Sequence, residues 1–443
     1  MVLMRNKAFY LIPILLLFMA GCLADQLGPE VTTTPQPAGI LASPPFTATE
    51  ESISQPTSPT PVDTPTLEET LSPKATEPGL ETGAPPAIIL FIGDGMGSAQ
   101  RQAATWLAHG EGGTLAMDTM AVHGIAQTAS ADGSVTDSAA AATAMATGKL
   151  TRNQYLGVGS EKNLLVTILE LAQGEEWAVG LVTTVPLTHA TPAAFAAHLP
   201  NRTDTPEIAR QVMGKGIDVL LGGGEDDFHS RDNGGCFPGR GEQPVGMDLI
   251  SGASENGYMV VCSEEALMRI DTTQTDKLVG LFGAEEIIAP FSPSLVEMTR
   301  VAVEILSRDP DGFFLMVEAG QIDWAGHDNR AEEAMEFTLG LDNAVFFAQI
   351  FALENPNTLI IVAADHETGG MQPNTDGAGS FRQDGPFSMP DGNAFWVDWE
   401  TTSHTGVKIP VTAQGPYAEN LVGEYPLTKI FETMILHLFS SNP

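Results

Sequence analysis

Three apolar runs in this chain end in acids. AIILFI (87–92) leads into GDGMG, which carries Asp94. GFFLMVEAG (312–320) carries Glu318, and Asp323 and His327 follow it. NTLIIVAADHETGG (357–370) carries Asp365 and His366. One acid at a strand end usually caps a helix. Three such ends, two with histidine close by, are hard to explain by capping. Clustered carboxylates repel one another unless cations neutralise them. Mixed imidazole and carboxylate ligands suit zinc, while carboxylate and hydroxyl oxygens suit magnesium. Asp323 and His327 are four apart, so on a helix both face the same way. Asp365 and His366 are adjacent, and on a turning backbone both can face one ion. Asp94 sits in a glycine-flanked turn, where the backbone can come close to a metal.

A nucleophile is harder to read. Residues 134–148 are SVTDSAAAATAMATG, with Ser138 after Asp137. No small-residue elbow of the G-x-S-x-G type surrounds it. Locally Ser138 reads as a helix start. A serine is a weak nucleophile without an activating partner, and the surrounding residues show none.

The acids need a frame. AIILFI (87–92), WAVGLVTT (177–184), IDVLLGGG (217–224), GFFLMVEAG and NTLIIVAA are apolar throughout, as strands buried on both faces are. NLLVTILELAQ (163–173) and residues 330–354 between them are helix-like. The alternation predicts an α/β fold with a large, mostly parallel central sheet and helices on both faces. In such sheets ligands bind beyond the carboxyl ends of the strands, where these acids lie. Residues 377–400, with Phe395, Trp396 and Trp399, read as a surface loop whose aromatics pack.

The chain has 443 residues, with 56 Asp and Glu against 20 Lys and Arg, a formal net charge of −36. A nucleic-acid partner needs a basic face and is excluded. An anionic substrate needs local positive charge from arginine or bound cations. Arg5 and Lys7 precede AFYLIPILLLFMA (8–20). That apolar run is shorter than the ~20 residues of a membrane span and reads as an export signal over 1–21. FMAGC resembles a bacterial lipobox, with Cys22 as the lipidated residue and the lipid as the only membrane contact. Residues 22–85 are rich in Pro, Thr, Ser and Glu and read as a disordered tether, leaving 86–443 as the catalytic domain. The expected location is the cell envelope, on the outer side of a bacterial membrane or in the periplasm. Cys236 and Cys262 remain as an even pair, and in an exported protein a disulfide between them is expected.

Six motifs together resemble the alkaline phosphatase family: IGDGMG (92–97), VTDSAAAATAMATG (135–148), HATPAAFAAH with Asn-Arg following (189–202), VEAGQIDWAGH (317–327), ADHETGG (364–370) and SHTG (403–406). The resemblance spans residues 87 to 439 and implies the family's fold and phosphomonoester hydrolysis through a phosphoserine. It implies two zinc ions and one magnesium. Asp94, Asp365 and His366 match the ligands of the zinc that binds the Ser138 oxygen. Asp323, His327 and His404 match those of the second zinc. Glu318 and Thr191 match the third site, with Asp94 shared. Arg202 matches the arginine that grips phosphate, and Asp137 is expected to position it. The chain departs from the enterobacterial members at His189, where they have aspartate, and at Trp324, where they have lysine. This pair looks like that of other bacterial members. An imidazole at the third site admits zinc or cobalt in place of magnesium, and Trp324 lines the phosphate site without a charge. The resemblance further implies small phosphate monoesters as substrates with broad specificity, an alkaline optimum and homodimers. The alternatives are a phosphodiesterase or phosphonate hydrolase on the same fold, or a lipoprotein that binds phosphate or metal without catalysis.

Overall fold

The computed structural model describes residues 84–379 and 383–440. The export signal, Cys22 and nearly all of the tether lie outside the described residues.

Fifteen strands are described: β1 (Ala87–Gly93), β2 (Val122–Gln127), β3 (Ala178–Pro186), β4 (Val219–Gly223), β5 (Met259–Val261), β6 (Leu278–Leu281), β7 (Phe313–Ala319), β8 (Thr358–Ala364), β9 (Glu367–Thr368), β10 (Met371–Asn374), β11 (Gln383–Ser388), β12 (Ala394–Trp399), β13 (His404–Thr405), β14 (Ile409–Gln414) and β15 (Gly423–Pro426). Ten form one sheet in the order β15-β2-β14-β8-β1-β7-β3-β4-β6-β5. It is parallel except where β14 runs against β2 and β8. The expected architecture therefore stands, with an antiparallel intrusion near one edge. Strand β1 is central, flanked by β7 and β8. All three are buried along their whole length, which is why their sequences carry no polar alternation.

Twelve helices are described: α1 (Ser98–His109), α2 (Ser138–Thr147), α3 (Ile168–Gly174), α4 (Ala190–Ala196), α5 (Thr205–Gly214), α6 (Glu225–Phe228), α7 (Leu249–Glu255), α8 (Glu264–Leu267), α9 (Leu295–Leu306), α10 (Gln321–His327), α11 (Ala331–Glu354) and α12 (Thr428–Leu438). Helices α1, α9 and α10 pack on α11, while α2, α3, α4 and α12 pack on one another, and both groups reach the central strands. Every residue of α2 is buried. Its alanines, and those of α4 beside it, are small enough for the two helices to pack closely.

Two expectations are corrected. The helix expected over 163–173 begins at Ile168. Thr167 and Glu170 form a capping box that fixes the start, and Leu164 and Val166 before it are exposed. The stretch read as a loop is an antiparallel sheet, β10-β12-β11. In AFWVDW (394–399) burial alternates, with Phe395, Val397 and Trp399 inward, a period-2 strand pattern. Its aromatics pack, as expected. Cys236 and Cys262 are disulfide-bonded, with Cα atoms 6.3 Å apart.

Candidate active site

The sheet order brings the acids together. Gly93 at the end of β1 pairs with Ala319 of β7 and Ala364 of β8. Asp94, Glu318 and Asp365 therefore emerge side by side at the carboxyl edge. Gly95 turns the chain with φ +73°, and a Cβ there would lie 2.7 Å from the Asp323 Cα. Only glycine lets β1 end so close to α10.

Three clusters of donor atoms result: Asp323, His327 and His404; Asp94, Asp323 and His366; and Asp94, His189 and Glu318. Around the first, Asp323 Oδ2 lies 3.3 Å from His327 Nε2, and Oδ1 lies 3.4 Å from His404 Nε2. The two imidazole Nε2 atoms are 3.1 Å apart. Each ring donates its other nitrogen to a carbonyl, His327 Nδ1 to Thr402 (2.7 Å) and His404 Nδ1 to Thr136 (3.0 Å). Those bonds orient both rings with Nε2 toward Asp323, where a bound cation would take the place of any Nε2 proton. In the second cluster, His366 Nε2 lies 3.6 Å from Asp94 Oδ1 and 3.2 Å from Asp365 Oδ2. Asp365 Oδ1 is taken by the Gly95 and His366 amides, which leaves Oδ2 facing the cluster. In the third, His189 Nδ1 stands 4.0 Å from Glu318 Oε1.

The fit to metal ions rests on buried atoms without hydrogen bonds. Both Asp94 carboxylate oxygens, His189 Nδ1, Thr191 Oγ1, Glu318 Oε1 and Asp365 Oδ2 are in this state. Buried polar atoms are seldom left so, and here they converge. Thr191 Oγ1 stands close enough to Glu318 to hold that carboxyl's pKa down. The residue lies inside α4, whose N-cap is His189, and its hydroxyl is turned toward the third cluster's chemistry.

The electrostatics agree. Burial, then Asp365, Asp323 and Glu318, push the Asp94 carboxyl well above the usual carboxylate range. Burial raises Glu318 to about 7, against a 2.5 Å hydrogen bond from the Thr183 hydroxyl. Burial also opposes charge on Asp323, but hydrogen bonds from His327 and His404 hold it well below its ordinary value. The Asp323 hydrogen bond raises His327 to about 9. Burial and the Arg202 charge lower His189 to about 3, and burial lowers His366. Both shifts favour the neutral ring, the form in which an imidazole can ligate a metal.

Ser138 is the first residue of α2, and the cap is Asp137, which accepts from the Ala140 amide at 3.0 Å. Ser138 Oγ lies 3.5 Å from His366 Nε2, at the edge of the second cluster. The other Asp137 oxygen accepts from Arg202 Nη1 at 3.2 Å and from the Gln154 amide and side chain. Arg202 Nη2 lies 3.2 Å from His189 Nε2. Trp324 packs edge-on against His189, with ring centroids 6.0 Å apart. Every expected metal-ligating, nucleophilic and phosphate-binding residue within the described chain thus lies in one neighbourhood. Sequence reasoning missed the hydroxyls of Thr183 and Thr368, which bond the ligands. A hydroxyl two residues after His366, in DHET, was the only local sign of Thr368.

The family model for alkaline phosphatase matches residues 86–387. The chain belongs to the alkaline phosphatase family. Alkaline phosphatase 3 of Bacillus subtilis is 36% identical over 306 residues, 66% of this chain and 63% of that protein. The chain thus spans under two thirds of the length of this relative. Streptomycin-6-phosphate phosphatase of Streptomyces griseus is 33% identical, over 82% of this chain and 93% of that protein. The solved alkaline phosphatase of the Antarctic bacterium TAB5 superposes with a TM-score of 0.68 and 30% identity, covering 81% of this chain and all of that one (100%). A variant of that enzyme, with a histidine replaced by aspartate and magnesium bound in its M3 site, aligns at TM-score 0.67 and 28% identity, covering 80% of this chain and 98% of that one. The family is metal-dependent, and the three clusters fit that property.

Proposed function

We propose that this protein hydrolyses phosphate monoesters by transferring the phosphoryl group to Ser138. The observation that carries the reading is the position of Ser138 Oγ, at a buried helix N-terminus and 3.5 Å from a ring nitrogen of the metal-binding cluster. Ser138 Oγ forms a bond to phosphorus as the bond to the alcohol breaks. Water then attacks the phosphoserine, which restores Ser138 and releases inorganic phosphate. Arg202 presents a planar fork to two phosphate oxygens, and Asp137 limits its motion. The N-terminus of α2 adds backbone donors and a favourable dipole. The residues so arranged hold the phosphate and not its alcohol, which supports broad monoester specificity.

Two zinc ions, one on Asp94, Asp365 and His366 and one on Asp323, His327 and His404, would supply an activated serine oxygen and a charge partner for the leaving group. Asp94, Thr191, Glu318 and His189 would hold a third ion. The oxygens suit magnesium, as in the M3 site of the Antarctic variant, while the imidazole admits zinc or cobalt. Turnover of a chromogenic monoester, with and without a strong chelator, tests the reading. Activity is expected to vanish with chelation and to return with zinc. Full activity in chelator would contradict it.

We further propose export and lipid anchoring at Cys22, followed by the tether over 22–85. The apolar run 8–20, the FMAGC sequence and the Cys236–Cys262 disulfide, a bond of oxidising compartments, support this. Fatty-acid labelling that persists in Cys22→Ser would rule the anchor out.

A further inference from the structure

We propose that Thr368 is a positioning residue whose single hydroxyl ties a ligand of one zinc site to a ligand of the other. The inference rests on the two-zinc reading above. Thr368 is fully buried in β9. Its Oγ1 makes a short hydrogen bond to Asp323 Oδ1 and lies 3.2 Å from His366 Nδ1. A threonine hydroxyl has one proton and two lone pairs, and an ionised carboxylate only accepts. The Thr368 proton therefore goes to Asp323. The hydroxyl oxygen is left to accept from His366, so Nδ1 of that ring carries the hydrogen. Nε2 is then bare where it meets Asp94, Asp365 and Ser138.

The backbone of Thr368 makes the link stiff. Its amide donates to the Gly95 carbonyl, in the turn that carries Asp94, at 3.2 Å. Thr368 also pairs with His404 across β9 and β13. One residue thus fixes the tautomer of His366, orients Asp323 and sets the register of His404. Outer-shell partners of this kind change metal affinity by about 10–100-fold when removed. The hydroxyl belongs to both ligand sets, so its loss weakens both sites together.

The test compares Thr368→Val, which keeps the shape and loses the hydroxyl, with Thr368→Ser, which keeps the hydroxyl. Zinc bound to the full-length protein is measured by equilibrium dialysis across graded free zinc, and the metal-free proteins are melted as a control. The valine variant is expected to lose affinity at both sites by about 10–100-fold, with the metal-free form still melting cooperatively. The serine variant is expected to bind like wild type. Loss at one site alone, or at neither, overturns the inference while leaving the two-zinc reading intact. A wild-type protein that binds no zinc sinks both. Should the valine variant not fold, nitrogen NMR of the zinc-loaded wild type decides. A protonated His366 Nδ1 is the expected state, and a metal on Nδ1 overturns the inference.

Discussion

Trp324 follows Asp323 directly and rests edge-on against His189, whose Nε2 lies 3.2 Å from Arg202 Nη2. Its indole can donate one hydrogen bond but carries no charge. Arg202 is therefore the only cation among the residues assigned to phosphate. A lysine at position 324 would add a second, and a hydrogen bond to a charged group is worth ~1.5–3 kcal/mol. Trp324→Lys is expected to tighten competitive inhibition by inorganic phosphate about tenfold or more. Turnover would slow where product release limits it. An inhibition constant unchanged between the two proteins would remove Trp324 from the phosphate site. At this scale the sequence was legible wherever partners are close along the chain. Asp323 with His327, and Asp365 with His366, announce themselves by spacing. His404, Thr191 and Arg202 have no such local partner, and only motif resemblance singled them out. Thr368 was not legible, because a hydroxyl that bonds two ligands looks like any strand threonine.

Elements place these residues, and α12 shows how pH acts on them. His437 is buried on α12, edge-on to Trp177, and donates from Nε2 to the Asn357 carbonyl at 3.1 Å. Burial pushes its pKa down from 6.5 to about 4. Below about pH 6.5 the unfolded chain takes up a proton that the folded chain refuses until about pH 4. Protonation in that window favours unfolding. Stability should fall by up to about 3 kcal/mol between those values, and the loss is absent at alkaline pH. His437→Gln retains the donor to Asn357 and removes the titration. Urea midpoints at pH 7 and 4.5 should differ less in the variant, and an equal difference would exclude His437 as the cause. Strands β1, β7 and β8 were readable because they are buried on both faces and so apolar throughout. Strands β2 and β14 were not, because β2 is half exposed and β14 alternates only in part. Strand order was beyond reach, since nothing local states that β7 and β8 flank β1. That adjacency is what turns three separate acids into one site.

The whole molecule carries a formal charge of −36, while its site is assigned to a dianionic substrate. Long-range repulsion opposes encounter, and salt screens it over a Debye length of ~8 Å at physiological strength. Raising ionic strength from low values should therefore raise kcat/KM for a charged monoester more than kcat. A fall in kcat/KM over the same range would mean that local positive charge dominates the approach. The central claim is that Ser138 takes the phosphoryl group, and one measurement addresses it most directly. Protein mixed with excess monoester is quenched in acid, digested and analysed by mass spectrometry. The expected result is one phosphate, on the peptide that begins the alanine-rich helix and at Ser138 itself, absent from metal-free protein. Turnover without any phosphate on Ser138, or sustained turnover by Ser138→Ala through no covalent intermediate, would contradict the account.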